Sequence, residues 1–210
     1  MYNSVFLIGF RTVGKSTTGK ILAETLGFRF IDTDNLVEAR ARQTISRLTQ
    51  NGTNWYNFRS LEYQVLQEVV LEERVVVSCG GGVGVNDIKL KGSLKTFGEL
   101  EAKLLIDNTQ IAKILLTLSE SQLKQRLTTN QQKNQRLRPS LNQDLAKQID
   151  FSQSQKQSQE TLKQKVIADL QVFQQRKPLY EKFANLTVNT GLQSTKNVSK
   201  TIVNFLSKPF

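Results

Sequence analysis

Apolar positions along the chain alternate between two spacings. Residues 4–8 form a short apolar run bounded by glycine, and over residues 17–26 apolar side chains recur at helical intervals up to Gly27. The pair reads as strand, loop, helix. Residues 28–31 make a second strand, and residues 36–42 and 55–73 are helical by pattern. Residues 75–77 are a continuous β-branched triplet, the signature of a strand buried on both faces, and it stops at Gly80-Gly81-Gly82. Residues 111–118 supply another strand, with a helix over 121–127. Residues 162–183 are helical, with Pro178 expected to kink or restart the helix. A last short strand over 186–188 and a closing helix over 198–206 complete the pattern.

Alternating strands and helices predict an α/β fold: a three-layer α/β/α sandwich around a mostly parallel five-stranded sheet, with ligands at the carboxyl ends of the strands. The glycine turns fall at those ends. One core is expected from 210 residues that are 38% hydrophobic. The stretch 130–164 breaks the pattern. Rich in Gln, Asn, Lys and Ser with few apolar anchors, it reads as mobile, either a surface insertion or a lid over a site.

Lys and Arg outnumber Asp and Glu by 29 to 18, a net charge of +11. That balance suits anionic ligands, nucleic acid, or simply a solubilising surface. No RNA-binding aromatic motif or paired-cysteine zinc knuckle supports nucleic acid, and none is expected as a partner. The absence of histidine excludes Ser-His and Cys-His catalysis, and a single cysteine, Cys79, excludes an internal disulfide; Cys79 reads as a small buried residue rather than a reactive one. Residues 1–9 lack the basic start and cleavage site of a signal peptide, and no stretch reaches transmembrane length, so the expected setting is cytoplasmic, as a monomer with no membrane contact.

The chemistry starts at Gly9-Phe10-Arg11-Thr12-Val13-Gly14-Lys15-Ser16, which matches G-x-x-x-x-G-K-[ST] between a strand and a helix. Backbone N–H groups from Thr12, Val13, Gly14, Lys15, Ser16 and Thr17 form the candidate phosphate cradle at a helix N-terminus. Lys15 is positioned for the β- and γ-phosphates of ATP, and the Ser16 hydroxyl for Mg²⁺. Arg11, in a loop interior bulkier than most, either reaches phosphate or faces solvent. A phosphate loop alone leaves GTPases, motor ATPases, nucleotide kinases and small-molecule kinases open. Asp32-Thr33-Asp34 follows the second strand, so two carboxylates emerge beside that loop: either a helix cap, or a pair that holds Mg²⁺ through water and takes a proton from an attacking hydroxyl.

Further along stand Phe58-Arg59-Ser60-Leu61-Glu62, Gly80-Gly81-Gly82, Arg138-Pro139-Ser140-Leu141 and Arg176-Lys177-Pro178-Leu179-Tyr180. With the phosphate loop and Asp32-Thr33-Asp34, this ordered set resembles the shikimate kinase family and covers the chain from end to end. The resemblance implies a P-loop NTPase fold like that of nucleoside-monophosphate kinases, as a single kinase domain over 1–210, with an acceptor-binding helical region about 33–62 and a lid about 130–160.

It implies transfer of the ATP γ-phosphoryl group to the 3-hydroxyl of shikimate, with Mg²⁺. By the same resemblance Arg59 and Arg176 hold the acceptor carboxylate, and Gly80, Gly81 and Gly82 line the acceptor. Asp34 orients or deprotonates the attacking hydroxyl, Asp32 meets Mg²⁺ through water, and Arg138 closes onto the phosphates. Arg126 is an approximate counterpart of an arginine the family uses near adenine. Plainer readings remain: Arg59 and Glu62 as a surface ion pair, the glycines as a tight turn, Arg176 as a solvated helix residue. The competing functions are a kinase for gluconate or a nucleoside monophosphate, and a non-catalytic nucleotide-binding module.

Overall fold

The computed structural model describes residues 2–132, 141 and 155–208 of the chain. Its sheet has the strand order β2-β3-β1-β4-β5, built from β1 (Ser4–Ile8), β2 (Arg29–Asp32), β3 (Val75–Ser78), β4 (Ile111–Thr117) and β5 (Leu186–Asn189). Every pairing is parallel, so the sheet is wholly rather than mostly parallel. The described helices are α1 (Lys15–Leu26), α2 (Thr33–Ala41), α3 (Ile45–Leu48), α4 (Tyr56–Val69), α5 (Phe97–Asp107), α6 (Glu120–Gln132), α7 (Gln155–Glu181) and α8 (Thr195–Leu206). No helix among the described residues is long and apolar enough to cross a membrane.

Successive side chains of a strand point to opposite faces, and the central strands here are apolar on both. Val5, Leu7 and Val76 pack with Leu22 of α1, Leu123 and Leu127 of α6, and Val198 and Ile202 of α8. Phe6, Ile8, Val75 and Val77 pack on the other side with Val65 and Leu66 of α4 and Leu105 of α5. Two clusters separated by one sheet make the three layers, each fully buried Val, Leu or Phe contributing about 1.5–3 kcal/mol. Helix α7 joins both clusters, through Val166, Leu170 and Phe173 on one side and Tyr180 on the other. It thereby spans the carboxyl edge of the sheet, meeting Arg11 after β1 through Asp169 and Gly81 after β3 through Arg176.

Three expectations change. Helix α7 continues through Pro178 to Glu181 instead of restarting there. Proline removes one N–H, but Arg176 and Tyr180 on either side of it both hold the carbonyl of Gly81, which fixes the turn in place. The polar stretch 130–164 is helical at both ends, as the last turn of α6 and the first turns of α7, because Gln, Lys and Glu are good helix formers that need no burial. Its middle, residues 133–140 and 142–154 of the lid expected over about 130–160, lies outside the described residues. Between the triple glycine and β4 the chain forms α5, which the periodicity did not predict; Thr96 and Glu99 cap it reciprocally, the side chain of each accepting from the other's backbone N–H.

Candidate active site

The phosphate loop runs from the end of β1 to the start of α1. Gly9 takes φ 130° and approaches the carbonyl of Leu116 so closely that a β-carbon would collide with it, so only glycine fits. Gly14 precedes the helix at φ 98°. Lys15 is buried and its Nζ donates to the carbonyls of Gly9 and Phe10, each at 2.8 Å, which holds the ammonium against the inside of the loop. The loop is braced by α6 and by the residue after β5: Arg126 donates to the carbonyls of Thr12 and Thr190, both at 3.2 Å, and the Thr190 hydroxyl donates to Val13 O at 2.7 Å. Arg11 does not face solvent, because its Nη2 donates to Asp169 of α7 at 2.7 Å. Burial raises the Asp169 carboxyl from its ordinary range against the opposing pull of Arg11.

Of the two readings of Asp32, the helix cap is the one the geometry displays. Asp32 Oδ1 accepts from the N–H of Asp34 at 3.1 Å and caps α2, while its Oδ2 accepts from the Ser16 hydroxyl at 2.6 Å. The Ser78 hydroxyl lies 3.2 Å from that of Ser16, so α1, β2 and β3 bring three side-chain oxygens to one place. An all-oxygen set with a single carboxylate suits Mg²⁺, which keeps most of its waters and takes few protein ligands.

Across the carboxyl edge, the triple glycine is a hub. Gly80 N–H donates to Thr33 Oγ1 at 2.9 Å, joining the turn to α2. The carbonyl of Gly81 accepts from Arg176 Nη1 at 3.1 Å and from the Tyr180 hydroxyl at 2.6 Å, joining it to α7. A β-carbon on Gly80 would meet the Glu62 carboxylate, and one on Gly82 would meet the Arg59 guanidinium, so the glycines are required for close approach and not only for the turn. Asp34 stands beside Gly80 as well, its Oδ1 3.0 Å from where that β-carbon would be.

Arg59 and Glu62 form an ion pair, but not a surface one: the side chains are 4% and 1% exposed. The guanidinium lies over the rings of Trp55 and Phe58, at 5.0 and 4.9 Å. Burial opposes the Arg59 charge, yet the neighbouring carboxylates, Glu62 foremost, outweigh it and hold the group above the ordinary arginine range. Arg176 is buried too, not a solvated helix residue, and burial together with the nearby Arg59 cation lowers it. Two guanidiniums thus face one glycine turn beside Asp34. This recess can receive an anion next to a group able to take a hydroxyl proton.

Lys15, Ser16, Asp32, Asp34, Arg59, Gly80, Gly81, Gly82 and Arg176 are therefore brought to one edge of the sheet; Arg138 lies outside the described residues. Cys79 is buried as expected, with its thiol pushed upward by burial. Sequence reasoning missed Ser78, Thr33, Glu101 and the anchoring role of Tyr180. Ser78 was the most accessible of these, since a hydroxyl at the carboxyl end of a strand leading into a glycine turn belongs beside the phosphate loop.

The profile of the shikimate kinase family matches residues 11–207 of the chain. A shikimate kinase of Clostridium botulinum (strain Eklund 17B / Type B) is 40% identical over 98 residues, 47% of this chain and 58% of the relative. One of Chlorobaculum tepidum is 46% identical over 87 residues, 41% of this chain and 44% of the relative. The chain thus spans about half the length of the curated relatives it matches. Among solved structures, shikimate kinase from Aquifex aeolicus vf5 superposes with a TM-score of 0.64 at 25% identity, covering 97% of this chain and 95% of that one. Shikimate kinase from Acinetobacter baumannii in complex with shikimate gives a TM-score of 0.71 at 22% identity over 98% and 93%, a likeness of fold.

Proposed function

The chain belongs to the shikimate kinase family, and from that premise we propose that it transfers the γ-phosphoryl group of ATP to the 3-hydroxyl of shikimate, releasing ADP and shikimate 3-phosphate. The observation that carries this reading is the pairing of Arg59 with Arg176 around the glycine turn, next to Asp34 and facing the phosphate loop. Gluconate also carries a carboxylate and hydroxyls. A rigid ring with one carboxylate nevertheless suits a recess whose walls are backbone and buried guanidiniums better than a flexible chain does.

In this reading the loop amides from Thr12 to Thr17 cradle the phosphates and Lys15 balances charge as it spreads over the γ-phosphoryl group. Ser16 would hold Mg²⁺ directly and Asp32 through water; the ion would supply charge neutralisation and orientation of the β- and γ-oxygens. Arg59 and Arg176 grip the acceptor carboxylate, with Glu62 fixing the Arg59 fork and the Gly80–Gly82 turn forming the wall behind the ring. Asp34 accepts a hydrogen bond from the attacking hydroxyl and takes its proton as the bond to phosphorus forms. Arg138 is assigned from the family resemblance, closing onto the transferring group as part of a lid over about 130–160, within one kinase domain. The same reading assigns the protein to the cytoplasm, where a free buried thiol such as Cys79 persists.

The test is ADP release with ATP and Mg²⁺ across shikimate, gluconate and nucleoside monophosphates. Turnover confined to shikimate is the expected result. Preference for a nucleoside monophosphate, or nucleotide binding with no turnover on any acceptor, would remove the assignment.

A further inference from the structure

Behind the acceptor recess lies a buried carboxylate that the mechanism above leaves unused. Glu101, on α5, is completely buried, and its Oε2 accepts from the N–H of Gly84 and from Asn86 Nδ2, each at 2.9 Å. Asn86 Nδ2 also donates to the carbonyl of Gly82 at 3.3 Å. Glu101 therefore ties α5 to the segment that continues the triple glycine, one bond away from the wall against which Arg59 rests.

We propose that Glu101 is a positioning residue for the acceptor site, carried as the neutral carboxylic acid, which anchors the glycine turn without adding a third negative charge beside Arg59 and Arg176. The proposal rests on the acceptor reading given above.

Hydrogen-bond accounting supports it first. Around this point three buried acceptor oxygens, Glu62 Oε1, Asn86 Oδ1 and Glu101 Oε1, have no donor among the described residues, against a single unused donor, Arg59 Nε. Acceptors left unpaired in the interior are costly, and a proton on Glu101 converts one of them into a donor.

Charge accounting points the same way. The groups around Glu101 are Arg59 and Glu62 from α4, Arg176 and Tyr180 from α7, and the Cys79 thiol after β3; Asp34 from α2 acts on Arg59 within the same cluster, and Asp87 lies exposed further out beside Arg176. If Glu101 were ionised, the inner cluster would set two guanidiniums against three carboxylates, Asp34, Glu62 and Glu101, and repel a further carboxylate. With Glu101 neutral, two meet two, and an incoming anion faces no net negative charge. Burial, and then the neighbouring Glu62, raise the Glu101 carboxyl well above the usual carboxylate range; Arg59, the Gly84 N–H and Arg176 pull the other way without restoring it.

The deciding experiment compares the full chain with Glu101→Gln and Glu101→Ala, using two readouts. Infrared difference spectra at neutral pH report the carbonyl stretch of a protonated carboxylic acid, without reference to any substrate. Quenching of Trp55, the one tryptophan, which lies against Arg59, reports shikimate binding directly. The wild type should show the acid band and Glu101→Gln should lack it. Glutamine should hold the shikimate dissociation constant within about threefold, because it is neutral and keeps the same acceptor, whereas Glu101→Ala should weaken it by about tenfold or more, with the KM for ATP unchanged.

No difference in the acid band, or a loss of more than tenfold with glutamine, would overturn the proposal, and either can be read even if the alanine variant fails to fold. Should the wild type not bind shikimate at all, the acceptor reading falls while the infrared comparison still decides where the proton sits.

Discussion

The proposed nucleotide end and the proposed acceptor end of this site are built in opposite ways. The phosphate loop is contiguous, Gly9 to Ser16, and its binding groups are backbone amides shaped by local conformation. The acceptor recess draws on α2, α4, the glycine turn, α5 and α7, with Asp34 and Tyr180 at its sequence extremes, and its working groups are charged side chains taken out of water. A local device of amides is less sensitive to distant substitutions than an assembly of buried charges, where removing any one member leaves another unpaired.

Lys15→Ala should give the largest effect. Removing the cation that balances the developing charge should reduce turnover at saturating ATP by roughly a hundred- to a thousandfold, with the fold unperturbed by circular dichroism. Retention of more than a tenth of wild-type turnover would mean that the loop does not act on the transferred group.

Arg59→Ala should show the other behaviour, changing function and stability together. The KM for shikimate should rise by roughly ten- to more than a hundredfold while that for ATP stays put. The fold should lose about 3–5 kcal/mol because Glu62 is left buried without its partner. Adding Glu62→Gln should return part of that stability but none of the shikimate affinity. Denaturant titration of the single and double variants checks this, and equal stabilities would contradict it. Arg59→Lys keeps charge but not the planar fork, so a substantial shikimate defect is expected there too.

The asymmetry also explains what the sequence disclosed. Periodicity located every strand because the central ones are apolar on both faces, and the glycine-lysine-serine pattern needed no tertiary context to be read. The acceptor arginines were found only because their flanking residues resemble a known family; nothing local in Phe58-Arg59-Ser60 says that this guanidinium rests against two aromatic rings. Glu101 was invisible for a related reason. Its helix carries a capping signal at Thr96 and Glu99, but a glutamate at a buried helix position looks like any solvated one until the glycine turn is folded against it.

Two smaller effects sharpen the contrast. A carboxyl whose native protonation extends above its unfolded range, ~4.3, contributes most at low pH and loses that contribution as pH rises, since the native state then binds more protons than the unfolded one. Wild-type stability should therefore fall relative to Glu101→Gln as pH is raised from about 5 upward, by at most about 1.4 kcal/mol per pH unit. A gap that does not change with pH would show that Glu101 titrates normally. Smaller still, Asp169→Asn loosens Arg11 and should raise the KM for ATP by roughly two- to tenfold with that for shikimate unchanged. A change confined to shikimate would mean that α7 serves the acceptor end alone.

The central claim is that Arg59 and Arg176 converge on one carboxylate, and its most direct measurement is a cycle between enzyme and acceptor. Binding of shikimate and of an analogue whose carboxylate is reduced to an alcohol is measured by Trp55 quenching for the wild type, Arg59→Ala and Arg176→Ala. The analogue should bind the wild type roughly ten- to a hundredfold more weakly than shikimate, and each arginine variant, with one of the two guanidiniums left, should discriminate clearly less between the two compounds. If the arginine variants still discriminate as strongly as the wild type, the carboxylate is held elsewhere and the clamp is wrong.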